Sequence, residues 1–568
     1  MPGLAHGARQ RLITAAVLAG LVVLGYLLLP GHTYLQEDSQ IYLAILEHFW
    51  NPTVLANDPV ATHHHMSYTI YDELALLWRR ITGLDFQPIL VADQLVFRFL
   101  GLLGIYLTAT ALGLGRAPAL AVAAVFGLGA TVSGPAVLTI EYEPKPRASA
   151  VPAAFLAIGL FAHGRFLGAG LAGALSFLYH PPSSYPFWLA SLVWLGVARQ
   201  RRTQARALQL LIPGTVAIGI LLLAAHFQVG GKEPGLWFSQ LTPELEQIQR
   251  YRASYNWVST WWERWAWHYA LLFLASIVAW RRLRLDWRSP SGWMSLSLPI
   301  IGLASVPASW LLLEHLKWAL IPKFQPARAL LMVPAFAVIL AVARAITGAR
   351  TLRGALESMA WAVIAFAVPT GPDIRQVLLP NLASPVALHR LLLILGLAAL
   401  LVFSRWLSAR PLATLTTAAA LLAPYFLLPT AGRVENYQVI HHPELDELAR
   451  WARSHTPREA VFVFPLADRS RVPGVFRVKA QRALYVDWKS GGQANMLPAL
   501  AWEWWCRWQT IQRTGFNEAA LAKYRDLGID FVVVERSQAL LGYKPVFENR
   551  RYSVYSTAAQ PEAGSTGG

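Results

Sequence analysis

The chain has 568 residues, 55% of them hydrophobic and only 14% charged, with a positive mean hydropathy. A soluble core cannot absorb that much apolar surface, and the repeated apolar runs have the length a bilayer requires. The formal net charge of +17 comes from arginines in short gaps between those runs, without a basic arm or recognition module, which excludes nucleic acid as a partner. The single cysteine, Cys506, excludes an intrachain disulfide and a thiolate zinc site.

Residues 12–30, LITAAVLAGLVVLGYLLLP, follow Arg9 and Arg11. The run is long and no small-residue cleavage pattern follows before Tyr34, so an uncleaved first helix is expected. Further apolar runs fall near 88–114, 118–140, 148–162, 167–180, 185–198, 207–226, 268–281, 292–313, 328–346, 354–370, 388–404 and 411–430. Together they predict about thirteen spans. With the N-terminus in the cytoplasm, Arg116, Arg165, RQRRTQAR (199–206), RRLRLDWR (281–288), Arg344 to Arg353 and Arg405 to Arg410 all fall in cytoplasmic gaps. The tail is then delivered to the outside. The expected organisation is a membrane part at 1–430, an extracytoplasmic α/β domain at 431–557 and a disordered Gly/Ser-rich end at 558–568.

The first outside loop, 31–87, opens with HTYLQEDSQIYL. The following stretch SQIYLAILEHFWN (39–51) has apolar residues at i, i+4 spacing and predicts an amphipathic helix lying in the membrane interface. Asp38 would stand at its start, where an N-cap is one reading. Capping leaves Glu37 without explanation. In the next outside loop, EYEPKPRAS (141–149) sets Glu141 and Glu143 beside Lys145 and Arg147. Such charges next to lipid must pair or bind something, and a mutual salt-bridge knot is the plainer reading. His180, in FLYHPPSSYP, is held near the surface by two prolines. EHLKWALIPKFQPAR (314–328) places Lys317, Lys323 and Arg328 outside, against the positive-inside trend, as anion binding or snorkelling would. Asp93 and Arg98 fall in or near the second span and pair either with each other or with the outer site. THHHM (62–66) reads as an exposed loop, and the Trp-rich run at 255–269 as an aromatic belt.

In the tail, HHPELDELARWARSH (441–455) has helical spacing, and AVFVFPL (460–466), RALYVDWK (482–489), IDFVVVE (529–535) and RYSVYST (551–557) read as strands. Helical stretches are expected near 496–512 and 517–527.

An acidic pair after the first span, a second acidic motif in the next outside loop, many spans and an exported α/β tail resemble the GT-C superfamily of membrane glycosyltransferases. Its members include protein O-mannosyltransferases and lipid A aminoarabinose transferases. The tail, with L-x-x-L-A-R-W at 445–451, D-x-K at 487–489 and GIDFVVV at 528–534, also resembles uncharacterised bacterial proteins placed near that group. The resemblance implies a mainly α, polytopic fold in a bacterial plasma membrane and an inverting transfer from a polyprenyl-phosphate sugar to an extracytoplasmic acceptor. It implies Asp38 as catalytic base, with Glu37 as its rival, and Glu141 and Glu143 as positioning groups for acceptor or metal. Lys145, Arg147, Lys323 and Arg328 would hold the donor phosphate, and His180 the donor phosphate or sugar. A divalent cation, Mg or Mn, would sit on Asp38 and Glu141 if one takes part. The motif reads E-D-S where O-mannosyltransferases have D-E, and no oligosaccharyltransferase W-W-D is present. A lipid or glycan transporter (or flippase) and a non-catalytic envelope-assembly protein are the alternatives.

Overall fold

The computed structural model describes residues 2–63, 68–197, 204–227, 239–370, 381–431 and 441–558. Each of the thirteen apolar runs falls on a helix among these residues, from Pro2–Leu27 to Arg410–Leu427. By length and composition, six stretches are long and apolar enough to cross a membrane: Ala8–Leu27, Phe86–Ala111, Gln204–Phe227, Pro290–His315, Ile321–Thr347 and Pro385–Trp406. The run at 118–140 is a correction. Its helix stops at Phe126, and β1 (Thr131–Val132) and β2 (Val137–Leu138) form an antiparallel hairpin around Gly134 and Pro135. Gly134 has φ 97°, and a side chain there would strike the Trp261 ring, so the turn needs glycine.

The membrane helices pack around Ile321–Thr347, which is almost wholly buried. Phe86–Ala111 lies hard against Pro146–Ala162 because the contact is made of glycines. A Cβ on Gly104 would collide with the backbone of Phe155 and Leu156, and one on Gly159 with the carbonyl of Gly104. Small residues allow backbones to approach this closely, where packing rather than the hydrophobic effect holds helices together. That contact fixes where the charged start of Pro146–Ala162 lies.

Residues beyond 441 form a five-stranded mixed sheet in the order β4 (Ala483–Leu484), β3 (Val461–Val463), β5 (Phe531–Glu535), β7 (Tyr552–Ser556), β6 (Phe547–Glu548). The pairs β4–β3 and β3–β5 are parallel, the others antiparallel. Period-two alternation divides it between two cores. Phe462, Val533 and Val554 face the core shared with residues 35–90, whereas Val463, Val532 and Tyr555 face the core shared with 241–257 and 501–524. The tail helices Pro498–Thr514 and Glu518–Asp526 match the sequence reading, while Val472–Ala480 was not anticipated.

The helix at Ser39–Trp50 forms where expected but lies elsewhere than expected. Ile41, Ala44, Ile45 and Leu46 are buried in the core that also holds Leu445, Leu448 and Phe476. Its apolar residues are covered by the C-terminal part of the chain rather than by lipid headgroups.

Candidate functional site

The acidic pair after the first span is shaped from the second loop. Prolines at 144 and 146 stiffen the turn, and the Glu141 carbonyl accepts hydrogen bonds from Gln94 (3.2 Å) and Arg98 (2.9 Å). Arg98 also donates to the Gly31 carbonyl (2.8 Å), and Thr33 N–H to the Tyr142 carbonyl (2.9 Å), so the two loops are laced together. Asp93 instead accepts from Ser149 (2.7 Å) and Tyr179 (3.3 Å), so of the two expected arrangements Arg98 adopts the one that joins it to the outer site rather than to Asp93.

Glu143 is completely buried and spends both oxygens on the acidic pair. Oε1 accepts the Glu37 N–H (2.7 Å) and Ser39 Oγ (2.5 Å), and Oε2 accepts the Asp38 N–H (2.9 Å). Three of the acceptor positions of Glu143 are thus taken, and they hold the Glu37–Asp38 backbone in place. Asp38 stands at the N-cap position of Ser39–Trp50, its carbonyl accepting the Ile41 N–H (2.9 Å), but its carboxylate makes no capping bond.

Cations gather on the pair from distant parts of the chain. Lys489 Nζ lies 2.8 Å from both Asp38 Oδ1 and Glu37 Oε2, and Arg471 Nη2 is 2.5 Å from Glu37 Oε1. Lys145 and Arg147 each stand 3.8 Å from Asp38 Oδ2 and are themselves tied to Glu141 at 3.0 and 3.1 Å. The salt-bridge reading of 141–147 thus holds within the cluster, but the cluster is built around Asp38. Arg252 donates to the carbonyls of Trp488 (2.7 Å) and Lys489 (3.2 Å) and fixes the backbone that carries the lysine. Behind it, fully buried Arg477 joins Asp58 (2.7 Å) and Asp487, tying the first loop to the tail.

Burial pushes the Asp38 carboxyl up, but Lys489, then Lys145 and Arg147, overcome it and hold the group well below the usual carboxylate range. Glu37 is lowered in the same balance by Lys489 and Arg471, and Glu141 by Arg147 and Lys145. Glu143 is raised, because burial outweighs Lys145 and the hydrogen bonds it accepts. Burial lowers Lys489, but the charges of Asp38 and Glu37 carry it above its ordinary value.

Access separates the four acids. The Asp38 side chain is 35% exposed, against 24% for Glu37, 1% for Glu141 and 0% for Glu143. Asp38 Oδ2 accepts no hydrogen bond among the described residues, so it can take a proton from a ligand. Arg328 stands on the same side: it feels the charges of Arg147, Tyr255 and Asp38, and its buried Nε is without a hydrogen-bond partner among the described residues.

Asp38, Glu37 and Glu141 are each paired with lysine or arginine, and no cluster of three or more His, Cys, Asp or Glu suited to a metal occurs among the described residues. His180 precedes Pro181–Val197 and pairs with Ser183 (2.9 Å), and Lys323 lies on the short helix Ile321–Phe324 that leads to Arg328. Trp257, expected in an aromatic belt, is fully buried beneath Arg250, 4.0 Å from its ring centroid. His63 follows the turn Pro59–Thr62, whereas His64 and His65 lie outside the described residues.

Sequence reading missed Lys489, Arg471 and Arg252. The D-W-K triplet at 487–489 was the one available signal: a lysine two residues from an aspartate, just after the apolar run ALYV.

A domain of unknown function (DUF6798) matches residues 443–511, the segment that carries Arg471 and Lys489. No curated protein matches the chain. Among solved structures, ArnT from Cupriavidus metallidurans in the apo state is similar with a TM-score of 0.50 at 12% identity, over 98% of this chain and 100% of that one. The same protein bound to undecaprenyl phosphate gives 0.49 at 12% identity, over 98% of each chain. The archaeal oligosaccharyltransferase AglB from Archaeoglobus fulgidus, in complex with an inhibitory peptide and a dolichol-phosphate, gives 0.42 at 10% identity, over 93% and 70%. At these identities the likeness concerns fold alone, and the apo ArnT comparison carries it: the chain has a fold similar to that of ArnT.

Proposed function

We propose that the chain is a membrane glycosyltransferase that moves a sugar from a polyprenyl-phosphate donor to an acceptor hydroxyl or amine, with Asp38 as base. One observation carries this reading. Asp38 is the most exposed carboxylate of the cluster, its Oδ2 accepts no hydrogen bond among the described residues, and Lys145 and Arg147 stand 3.8 Å from it. The likeness of fold to ArnT supports it.

In the proposed reaction the acceptor oxygen or nitrogen attacks the anomeric carbon while its proton passes to Asp38 Oδ2. The bond from that carbon to the phosphate oxygen breaks, and the electron pair leaves on the polyprenyl phosphate. Lys145, Arg147 and Arg328 stabilise the growing phosphate charge, where fixed cations in a partly dry site act strongly. A phosphate drawing Lys145 and Arg147 to itself also relieves their hold on Asp38, so the base gains proton affinity when donor is bound. Glu141 and Glu143 are buried and Glu37 is held by Lys489 and Arg471, which favours a mechanism with one acting carboxylate. A single displacement follows, with inversion at the anomeric carbon.

The test is sugar transfer from a panel of radiolabelled polyprenyl-phosphate sugars in membranes holding equal amounts of wild type or Asp38→Asn. A fall of about 10²–10⁴-fold, the range of a lost general base, is expected. Equal transfer by both proteins would remove Asp38 from the chemistry.

A further inference from the structure

A second basic cluster lies outside the Asp38 site. The end of Tyr71–Thr82, the helix Pro443–His455 and the turn at 481–482 enclose a recess of about 310 Å³ whose charged lining is Arg79, Arg453, Arg458, Arg482 and Glu47. Four guanidinium groups face one carboxylate. Two of them have structural duties. Arg482 is buried and donates to the Arg453 and Thr456 carbonyls that end the Pro443–His455 helix. Arg79 pairs with Glu47 (3.3 Å) and Asp85 (3.4 Å) and lies over Trp50 and Phe86. The other two are exposed. Arg458 donates to Thr53 Oγ1 (3.1 Å), and the Arg453 guanidinium makes no hydrogen bond or ion pair among the described residues. Burial and the charges of Arg453 and Arg458 together lower the pKa of Arg482, a sign that positive charge here is in excess.

The recess continues toward the membrane helices. Glu47, Arg79, Arg453 and Gln481 also line an adjoining cavity of about 620 Å³ that reaches Tyr26 and Val91. Those residues belong to Ala8–Leu27 and Phe86–Ala111, two of the helices able to cross a membrane. Neither cavity is lined by Asp38, Lys145, Arg147 or Lys489.

We propose that this arginine-lined recess binds a phosphate-bearing anion, either a lipid headgroup entering through the larger cavity or a soluble phosphate. Guanidinium groups match phosphate oxygens in forked hydrogen bonds, and a partly enclosed cluster of them favours an anion over water. The site stands whether or not Asp38 transfers a sugar.

The experiment uses the full chain in neutral detergent and counts bound ligand by native mass spectrometry. The probes are dioleoyl phosphatidic acid, dioleoylglycerol as the neutral match, and inorganic phosphate as competitor. Phosphatidic acid should bind in preference to dioleoylglycerol, and Arg453→Gln with Arg458→Gln should weaken it about tenfold without lowering the unfolding temperature, because both side chains are exposed. Arg453→Glu alone should weaken it further. Competition by inorganic phosphate would assign recognition to the phosphate itself, and its failure would assign it to the lipid. Equal binding of the neutral lipid, or affinity unchanged in the variants, would overturn the proposal.

Discussion

Asp38 and Glu37 owe their charge state to neighbours that lie more than a hundred or even four hundred residues away, and that dependence is measurable. Both carboxyls are held below their ordinary values of 3.8 and 4.5, chiefly by Lys489 once burial is overcome. A depressed carboxylate stabilises the fold fully above its unfolded pKa, and the contribution is lost as pH falls through the folded value. Lys489 is the complement. Its pKa is raised above the ordinary 10.5, so its contribution is complete below that pH and fades as pH climbs through the folded value. Glu143 runs against the acids, because burial raises it and protonation relieves that cost. The difference in unfolding temperature between wild type and Glu37→Gln should therefore be steady at neutral pH and shrink below about pH 4. The difference between wild type and Lys489→Met should shrink above about pH 10.5. Thermal unfolding in detergent across pH reads both. Differences that do not change at either end would show the pairs to be too solvated to matter.

The helix Ser39–Trp50 was legible because its apolar residues recur at helical spacing, and the tail strands because β-branched and aromatic residues cluster between turns. The hairpin at 131–138 was hidden by reading an apolar run for length alone, although Gly134 and Pro135 mark a turn inside it. Val472–Ala480 was missed because nine residues with Pro473 and Gly474 among them give little periodic signal. Tertiary packing makes that helix. A Cβ on Gly474 would collide with the Gln40 side chain, and Arg477 lies fully buried between Asp58 and Asp487. Nothing in VFRVKA distinguishes a buried arginine from a surface one. Asp58 also accepts from the Val60 and Leu484 N–H groups (both 2.9 Å), so one carboxylate caps a short helix, orders β4 and anchors Arg477. Removing the cation would leave two buried carboxylates unpaired. Arg477→Met is expected to cost about 3–5 kcal/mol, and the triple variant adding Asp58→Asn and Asp487→Asn to recover a substantial part. Denaturant unfolding of the purified proteins measures both. A triple variant no more stable than the single one would show that packing, not charge, is lost.

The site brings together residues 37–38 of the first loop, 141–147 of the second and 471–489 of the tail. The acids and the bases of the second loop were legible from their position beside apolar runs. The cations of the tail were not, because a sequence shows no proximity across four hundred residues. Their meeting has a topological consequence: both loops and the tail must lie on one side of the membrane. That is the side the arginine register assigned to them, with the arginine-rich gaps at 199–206, 281–288 and 344–353 on the other. Proximity gives a common side, and from the arginine asymmetry we propose that it is the outer one. The chain carries its own probe of that assignment, because Cys506 is its only cysteine and is exposed. A membrane-impermeant maleimide should label the wild-type protein in right-side-out spheroplasts and leave it unlabelled in sealed inside-out vesicles until detergent is added. Cys506→Ser should abolish labelling in both. The opposite sidedness would put Asp38 and Lys489 in the cytoplasm. The cluster would survive as geometry, but its donor would have to be one presented on the inner leaflet.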